Sequence, residues 1–179
     1  RRPGMYLASG STEFSQLTGI RESLTGRIGI IRLYPMTFAE TLARPSGRIY
    51  VHPEAGSGTA QITLKEFDLK ISNGGMPGLC FLRSDAEFQS SCAAWIETTC
   101  YRDLTQIKGR SLDGGLAMAI LSEIARQPEP TAAHLARTLK KDARVIQRHL
   151  DALAAILVVH VLRPHPAGVG KTEYAILDS

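Results

Sequence analysis

Residues 111–179 contain the pattern that most restricts the fold of this chain. Apolar residues recur there at helical spacing in three consecutive segments, and Asp142 is placed to act as the N-cap of the third. Two runs with strand character, "VVHVLRPHP" and "KTEYAIL", follow and are joined by a glycine-containing turn. Three helices followed by a β-hairpin are the element order of a winged helix-turn-helix, so the sequence predicts this fold for 111–179. The apolar stripes are Leu116, Ile120, Leu121 and Ile124 in the first helix and Val145, Ile146, Leu150, Leu153 and Leu157 in the third.

The remaining segments predict a mostly α-helical chain with an α/β remnant at its N-terminal end. "MYLAS" (5–9) and "IGIIRLYP" (28–35) have strand composition and flank a polar segment with helical spacing. "RPSGRIYVHPEAGSGTAQ" is dense in glycine, proline and serine, which predicts a linker or an insertion. We therefore expect four parts: the α/β remnant over 1–43, the linker over 44–61, a helical subdomain over 62–110 and the winged helix over 111–179.

The helical subdomain is predicted to contain two helices. Thr63 and Glu66 have the spacing of a capping box, and Gly74 is placed to end the first helix. A second helix is expected to begin after Ser84 and to run to about Ile107. The residues expected to face the core are Leu64, Phe67 and Ile71 in the first helix and Phe88, Cys92, Trp95 and Ile96 in the second.

Composition bounds the class of protein. With 179 residues and 44% hydrophobic content, the chain is long enough to bury a core. It contains no apolar run of membrane-spanning length and no leader pattern, so we expect a cytoplasmic protein without a membrane partner. Cys80, Cys92 and Cys100 have neither C-x-x-C spacing nor spaced histidine partners, so we expect no disulfide framework and no metal site. The net charge of +4 favours polyanionic partners only weakly.

The segment "HPAGVGKTEY" (165–174) contains a pattern similar to the phosphate-binding Walker A loop, G-x-x-x-x-G-K-[ST]. His165 stands where the first glycine is required. A helix must also follow such a loop, because the helix N-terminal amides meet the phosphates, whereas "EYAILD" has the alternation of a strand. We therefore predict a hairpin tip at which Lys171 faces solvent or a phosphate backbone.

Polar and basic residues occupy the face of the third helix opposite its apolar stripe. Arginine and glutamine can read guanine and adenine edges in a major groove, and nearby lysines can contact phosphates. A solvated helix face without a partner explains the same residues, and many winged helices bind proteins instead. The candidate base readers are Arg144, Gln147 and Arg148, and the candidate phosphate contacts are Lys140, Lys141 and Lys171.

Five short motifs follow one another along the chain: "YLASGSTEF", "RESLTGRIGIIRLYPMTFAE", "GGMP", "YRDL" and "EYAILDS". In this order they resemble the bacterial and archaeal AAA+-superfamily ATPases that carry a C-terminal domain of unknown function. The first two are similar to that family's L-T-G-S strand end, S-L-A-G-R turn and L-x-P-L-[ST]-x-x-E run. The next two resemble its G-G-[YF]-P and R-D-[IL] signatures, and the last resembles the stretch behind its winged portion.

The resemblance implies an intact protein whose Walker A and Walker B strands lie before Arg1, often with a nuclease-like region after Ser179. ATP and Mg²⁺ would then be bound mainly by residues outside this chain, which alone would bind no cofactor and hydrolyse no ATP. Ser9 or Ser11 would be the polar sensor near the γ-phosphate. Arg27 would stabilise charge on the transferring phosphoryl group.

The leading interpretation is a fragment of a cytoplasmic AAA+-type ATP-binding protein that comprises a sensor segment and a winged helix. Its expected partners are duplex DNA, the missing N-terminal ATPase half, or a second copy of the chain. Two other interpretations stay open. One is a winged-helix DNA-binding transcriptional regulator, and the other is a protein-binding regulatory module.

Overall fold

The structure is a computed structural model of the 179-residue chain. The part of the chain that the structure describes is mostly helical, which confirms the predicted mostly α-helical class. The chain is divided into two compact units. The C-terminal unit comprises Arg1–Arg32 and Ile96–Leu177, and the middle unit comprises Leu33–Trp95 and Asp178–Ser179. The residues that the structure describes are 6–7, 9–10, 29–42, 63–104, 107 and 111–177.

The helices and strands follow one another in the order that the sequence pattern gives for the second half of the chain. The first part contains α1 (Phe38–Thr41), α2 (Leu64–Asn73), α3 (Asp85–Thr98) and a π-helical turn (Thr99–Asp103). The second part contains α4 (Gly114–Arg126), α5 (Ala132–Thr138), α6 (Ala143–Ala155), β1 (Val159–Leu162) and β2 (Glu173–Ile176).

In the C-terminal unit, α4 contacts α5, α6 and β2, and α6 contacts α5 and β1. The two strands pair antiparallel, with Val159 opposite Ile176. The backbone N–H of Tyr174 donates to the carbonyl of Pro130 at 3.1 Å, so β2 is also tied to the turn between α4 and α5. This unit therefore contains three consecutive helices and a hairpin, as the apolar spacing predicts.

The core of the C-terminal unit is formed by the apolar stripes of its helices and by the inner face of the hairpin. Burying a leucine or isoleucine side chain stabilises a fold by about 1.5–3 kcal/mol. The predicted stripes are confirmed at most positions, although Leu116, Val145 and Leu157 are only half-buried. The buried residues include Ile120, Leu121, Ile124, Leu135, Ile146, Leu150, Leu153, Val159 and Tyr174.

His149 is a polar residue within this core, with 1% of its surface exposed. Its Nδ1–H donates to the Val145 carbonyl at 2.8 Å, and its Nε2 accepts the backbone N–H of Asp113 at 3.0 Å. Since a carbonyl can only accept, these partners assign the proton to Nδ1 and leave the ring neutral. Asp113 is the N-cap of α4, so the imidazole joins the start of α4 to α6.

Asp142 begins α6 as the sequence predicts, because its Oδ1 accepts the N–H of Arg144 at 2.8 Å. Asp142→Ala leaves this amide without its acceptor and is expected to lower the free energy of unfolding by about 1 kcal/mol. Urea unfolding followed by circular dichroism measures the change. Asp142→Asn retains a capping oxygen and should lose much less; equal losses in both variants would assign the effect to charge instead of capping.

The π-helical turn lies against the start of α4. A Cβ added at Gly114 would lie 2.9 Å from the Cys100 carbonyl oxygen and would overlap the Tyr101 ring, so the close approach requires glycine. Burial raises the pKa of the Cys100 thiol to about 11. This thiol is therefore protonated at neutral pH and is a poor nucleophile.

In the middle unit, α2 begins and ends as predicted. The Thr63 hydroxyl accepts the N–H of Glu66 at 3.2 Å, and the Glu66 carboxylate accepts the N–H of Thr63 at 2.9 Å. The backbone bond from Thr63, followed by the bond from its hydroxyl, lowers the pKa of Glu66. The helix ends at Asn73 and is followed by Gly74 with φ 65°, a conformation that favours glycine.

Two contacts hold the segment around α1 against the segment around α2. The backbone N–H of Met36 donates to the Gly75 carbonyl at 2.7 Å. The Lys70 ammonium donates to the Thr41 carbonyl at 3.3 Å. A Cβ at Gly75 would overlap the carbonyl oxygen of Met36, so this position also requires glycine.

The predicted buried face of α2 is wrong. Leu64, Phe67 and Ile71 are 76%, 40% and 55% exposed. The buried side of the helix instead carries Asn73, whose Nδ2 donates to the Leu82 carbonyl at 2.7 Å. The hydrogen bond offsets the free-energy cost of removing the Asn73 amide from water, so this polar residue can occupy the buried side of α2.

Three further expectations are corrected. Residues 29–35, most of the second predicted strand, lie outside any strand, and Ile31 and Leu33 are 84% and 87% exposed. No neighbouring strand among the described residues pairs with them, and an unpaired strand leaves its backbone groups to water. α3 ends at Thr98 and not near Ile107, because the backbone widens there into the π-helical turn. The predicted inward residues of α3 are half-buried.

The predicted strand over 5–9 is not formed at the residues described there, since Tyr6, Leu7 and Ser9 lie outside any strand and Tyr6 and Leu7 are 90% and 98% exposed. The helix predicted after it lies outside the described residues.

Candidate nucleic-acid interface

A cluster of exposed cations surrounds the turn between α5 and α6. The chain has five basic residues and one acidic residue over 137–148, and all five cations are exposed. Within the described part of the chain, none of the five lies within ion-pair distance of a carboxylate. We name this cluster the basic surface; it comprises Arg137, Lys140, Lys141, Arg144 and Arg148.

Lys140 adopts a backbone conformation that normally favours glycine. Its φ is 52°, and it follows the C-terminus of α5. The Lys141 N–H donates to the Ala136 carbonyl at 3.0 Å and the Lys140 N–H to the Arg137 carbonyl at 3.3 Å, the bond pattern of a Schellman motif. The turn that sets the angle between α5 and α6 therefore carries a lysine at the left-handed position.

Lys140→Gly is expected to raise the free energy of unfolding by about 0.5–1 kcal/mol, because glycine adopts positive φ without the steric cost of a Cβ. Thermal and urea unfolding measure this gain. Lys141→Gly, the same substitution at a residue without positive φ, should instead be destabilising, since glycine gains entropy in the unfolded chain. A loss of stability in both variants would refute the steric explanation.

Gln147 lies between Arg144 and Arg148 on α6, and its amide is held inside the unit. Its Nε2 donates to Asp151 Oδ1 at 2.8 Å. The Tyr174 hydroxyl donates to Oε1 at 3.2 Å and lies 3.1 Å from Nε2. Because Tyr174 is 4% exposed and belongs to β2, these bonds fix Gln147 against the hairpin.

The hairpin tip carries the remaining candidate phosphate contact. Lys171 and Arg163 are exposed, and Val169 at the tip is fully exposed. Residues 169–172 are followed by β2 and not by a helix. The "GVGKT" pattern thus lacks the helix N-terminus that a phosphate-binding loop requires, which agrees with the hairpin prediction.

The candidate ATPase residues are only partly described. Ser9 is exposed and lies outside any helix or strand, whereas Ser11 and Arg27 lie outside the described residues. The roles assigned to these three residues stay predictions. Among the residues the structure describes, no group of three or more histidine, cysteine or acidic side chains is arranged to hold a metal ion.

Sequence reasoning missed Tyr174 and His149 as organising residues. The sequence identifies Tyr174 only as part of a strand-like run, in which period-two spacing with Ile176 is the signal that its ring could face the core. The five histidines are scattered along the sequence without a metal-ligand pattern, so by this criterion sequence alone does not distinguish His149 from the others. Its position within the apolar stripe of α6, next to Leu150, indicates burial, but nothing local indicates its bond to Asp113.

Comparisons with known proteins show that the chain matches part of longer proteins, and they identify no activity. The chain is 26% identical over 173 residues to the uncharacterized protein Rv2008c of Mycobacterium tuberculosis and, equally, to the uncharacterized protein Mb2031c of Mycobacterium bovis. Each match covers 96% of this chain and 34% of the relative, so the chain spans about a third of the length of these curated relatives. No protein-family model matches the chain, and no solved structure matches it significantly. In the described part of the chain, no helix combines the length and apolarity needed to cross a membrane.

Proposed function

We propose that the C-terminal unit is a winged helix-turn-helix that binds duplex DNA through α6. The observation that carries this proposal is the basic surface, whose five cations are exposed and unpaired within the described residues. In a helix-turn-helix, the N-terminal half of the recognition helix meets the bases while flanking residues meet the backbone. Arg144 and Arg148 occupy that half of α6, and Lys140 and Lys141 precede it.

The physical driving force is the release of counterions from the phosphates. Each phosphate that a lysine or arginine neutralises steepens the fall of log K with log salt by about 0.9. If Arg137, Lys140 and Lys141 contact phosphates, the slope reaches about −2.7. Lys140, Lys141 and Arg137 are suited to contacts with the DNA phosphates, because their side chains form no hydrogen bond or ion pair with another described residue.

Fluorescence anisotropy with a labelled duplex tests this function. Arg148→Ala should weaken binding by about 5- to 10-fold, whereas Lys141→Ala, which removes a phosphate contact, should reduce the salt slope by about 1. Arg126→Ala removes the same charge from an exposed position at the end of α4, outside the basic surface, and serves as the matched control. Affinity that ignores both salt and Arg148→Ala would contradict the proposal.

A duplex RNA of the same sequence provides a second control. Its major groove is deep and narrow, so side chains on α6 cannot reach the base edges. We expect weaker binding to the RNA duplex than to DNA. A regulatory module that binds only proteins would bind neither duplex.

A second function is proposed for the longer protein to which this chain would belong: a cytoplasmic AAA+-type ATPase, with ATP and Mg²⁺ held mainly outside this chain. It rests on the order of the five sequence motifs, and two observations are compatible with it. The curated relatives are about three times as long as the matched region. The "GGMP" motif is also structurally constrained, because Gly75 accommodates the Met36 carbonyl.

Sequencing the gene upstream of Arg1 tests the ATPase proposal. We expect a G-x-x-x-x-G-K-[ST] loop between a strand and a helix. The 179-residue chain itself should not bind ATP, and neither should its Lys171→Ala variant. An upstream region without this loop would overturn the ATPase proposal and leave the DNA-binding proposal intact.

A further inference from the structure

The amide of Gln147 is unavailable for reading a base as long as the hairpin is in place. A glutamine that reads adenine accepts a hydrogen bond from N6 through Oε1 and donates to N7 through Nε2. Here the Tyr174 hydroxyl occupies the position that adenine would need, because it lies 3.1 Å from Nε2 and donates to Oε1 at 3.2 Å, while Asp151 accepts the other N–H of Nε2. Both groups belong to the C-terminal unit, so adenine contact would require breaking internal hydrogen bonds.

The two arginines that flank Gln147 are in the opposite situation. Arg144 and Arg148 are exposed, and neither guanidinium has a carboxylate partner among the described residues. A guanidinium donates two parallel hydrogen bonds to O6 and N7 of guanine, which is the commonest specific contact in a major groove. The guanidinium N–H groups that would donate to guanine are thus free, whereas the amide atoms of Gln147 that would contact adenine already form hydrogen bonds within the unit.

The spacing of the arginines sets the spacing of the bases. Four residues along an α-helix rise about 6 Å. Successive bases on one strand rise about 3.4 Å, so one turn of α6 along the groove corresponds to about two base steps. Asp151, one turn beyond Gln147, is an exposed carboxylate that repels phosphate and limits the DNA-facing surface to the first two turns of α6.

We infer, on the basis of the proposed DNA-binding function, that the site is specific for guanine: Arg144 and Arg148 contact two guanines separated by one base pair, and Tyr174 keeps Gln147 from base contact. Arg144 and Arg148 are the specificity-determining residues. Tyr174 is a positioning residue that acts through Gln147.

The first test is selection from a random-sequence DNA duplex library with the 179-residue chain. The enriched motif should contain two guanines with one base between them. Arg148→Ala should remove the preference at one of these positions and Arg144→Ala the preference at the other. Gln147→Ala should leave the motif unchanged.

The second test uses the wild-type chain and a chemically modified selected duplex. Replacing one guanine of the pair by 7-deazaguanine keeps Watson–Crick pairing but removes the N7 acceptor. We expect about 10-fold weaker binding. The alanine variant of the arginine that reads this base should show no further loss, because the lost contact is the same.

The third test concerns Tyr174→Phe, which removes the hydroxyl and keeps the ring. The freed Gln147 should add an adenine preference to the selected motif, and Gln147→Ala in the same background should abolish it. A merely structural role for Tyr174 would change affinity without adding a base preference.

The outcomes separate the inference from the function on which it rests. Binding without base preference, or an adenine preference in the wild type that Gln147→Ala removes, would overturn the guanine inference alone. No binding to any duplex would overturn both. The 7-deazaguanine measurement needs no variant of Tyr174, so it decides the matter even if Tyr174→Phe does not fold.

Discussion

Leu150→Ala is expected to lower the free energy of unfolding of the C-terminal unit by about 3 kcal/mol. Leu150 is fully buried on α6, the helix that contacts α4, α5 and β1. Alanine has at least as high a helix propensity as leucine, so the loss comes from the vacated space and the lost transfer free energy and not from the helix itself. Urea unfolding monitored by circular dichroism gives the value from the shift in midpoint.

The matched control for this change is Leu162→Ala on β1. Leu162 is 45% exposed, so the same truncation should cost less than about 1 kcal/mol. Comparable losses at both positions would mean that Leu150 does not occupy the core described above. Arg148→Ala, two residues earlier on the exposed face of α6, should leave stability almost unchanged.

His149→Leu is expected to cost about 2 kcal/mol although it adds an apolar side chain to an apolar core. The leucine fills much of the ring's space but leaves the Asp113 N–H without its acceptor. An orphaned donor costs about 1–3 kcal/mol, and the junction between α4 and α6 loses its hydrogen bond. Chemical unfolding measures the loss, and the Asp113 amide should exchange its hydrogen faster in the variant. Unchanged or slower exchange would be the contrary result.

His160→Leu provides the comparison. His160 is exposed on β1 and its imidazole makes no hydrogen bond to another described residue, so its replacement should change stability by less than about 0.5 kcal/mol. If His149→Leu is neutral or stabilising, the two hydrogen bonds of the ring contribute nothing net, and the ring acts only as a space-filling group.

The parts of the fold that sequence predicts well are those specified by neighbours in the chain. The capping residues Thr63 and Asp142 are identified correctly because a side chain bonds an amide two or three residues later. The face of α2 is predicted wrongly for the complementary reason. Helical spacing shows that Leu64, Phe67 and Ile71 share one side, but only the tertiary structure decides which side meets a partner.

The candidate site is likewise predicted only where residues close in the sequence specify it. The basic residues on α6 are predicted because they lie opposite an apolar stripe. The bond between Gln147 and Tyr174 joins residues 27 positions apart on a helix and a strand. No local pattern encodes this separation, so the sequence suggests Gln147 as a reader while the tertiary contact assigns it to the hairpin.

The hydrogen bond from Met36 to Gly75 makes one backbone position decisive for the middle unit. It joins residues that lie far apart in the sequence, and the entropic cost of bringing such positions together must be offset by the few contacts that form there. A methyl group at Gly75 would overlap the Met36 carbonyl oxygen and disrupt this junction. A substitution as small as Gly75→Ala therefore acts on a contact between distant parts of the chain and not only on its own turn.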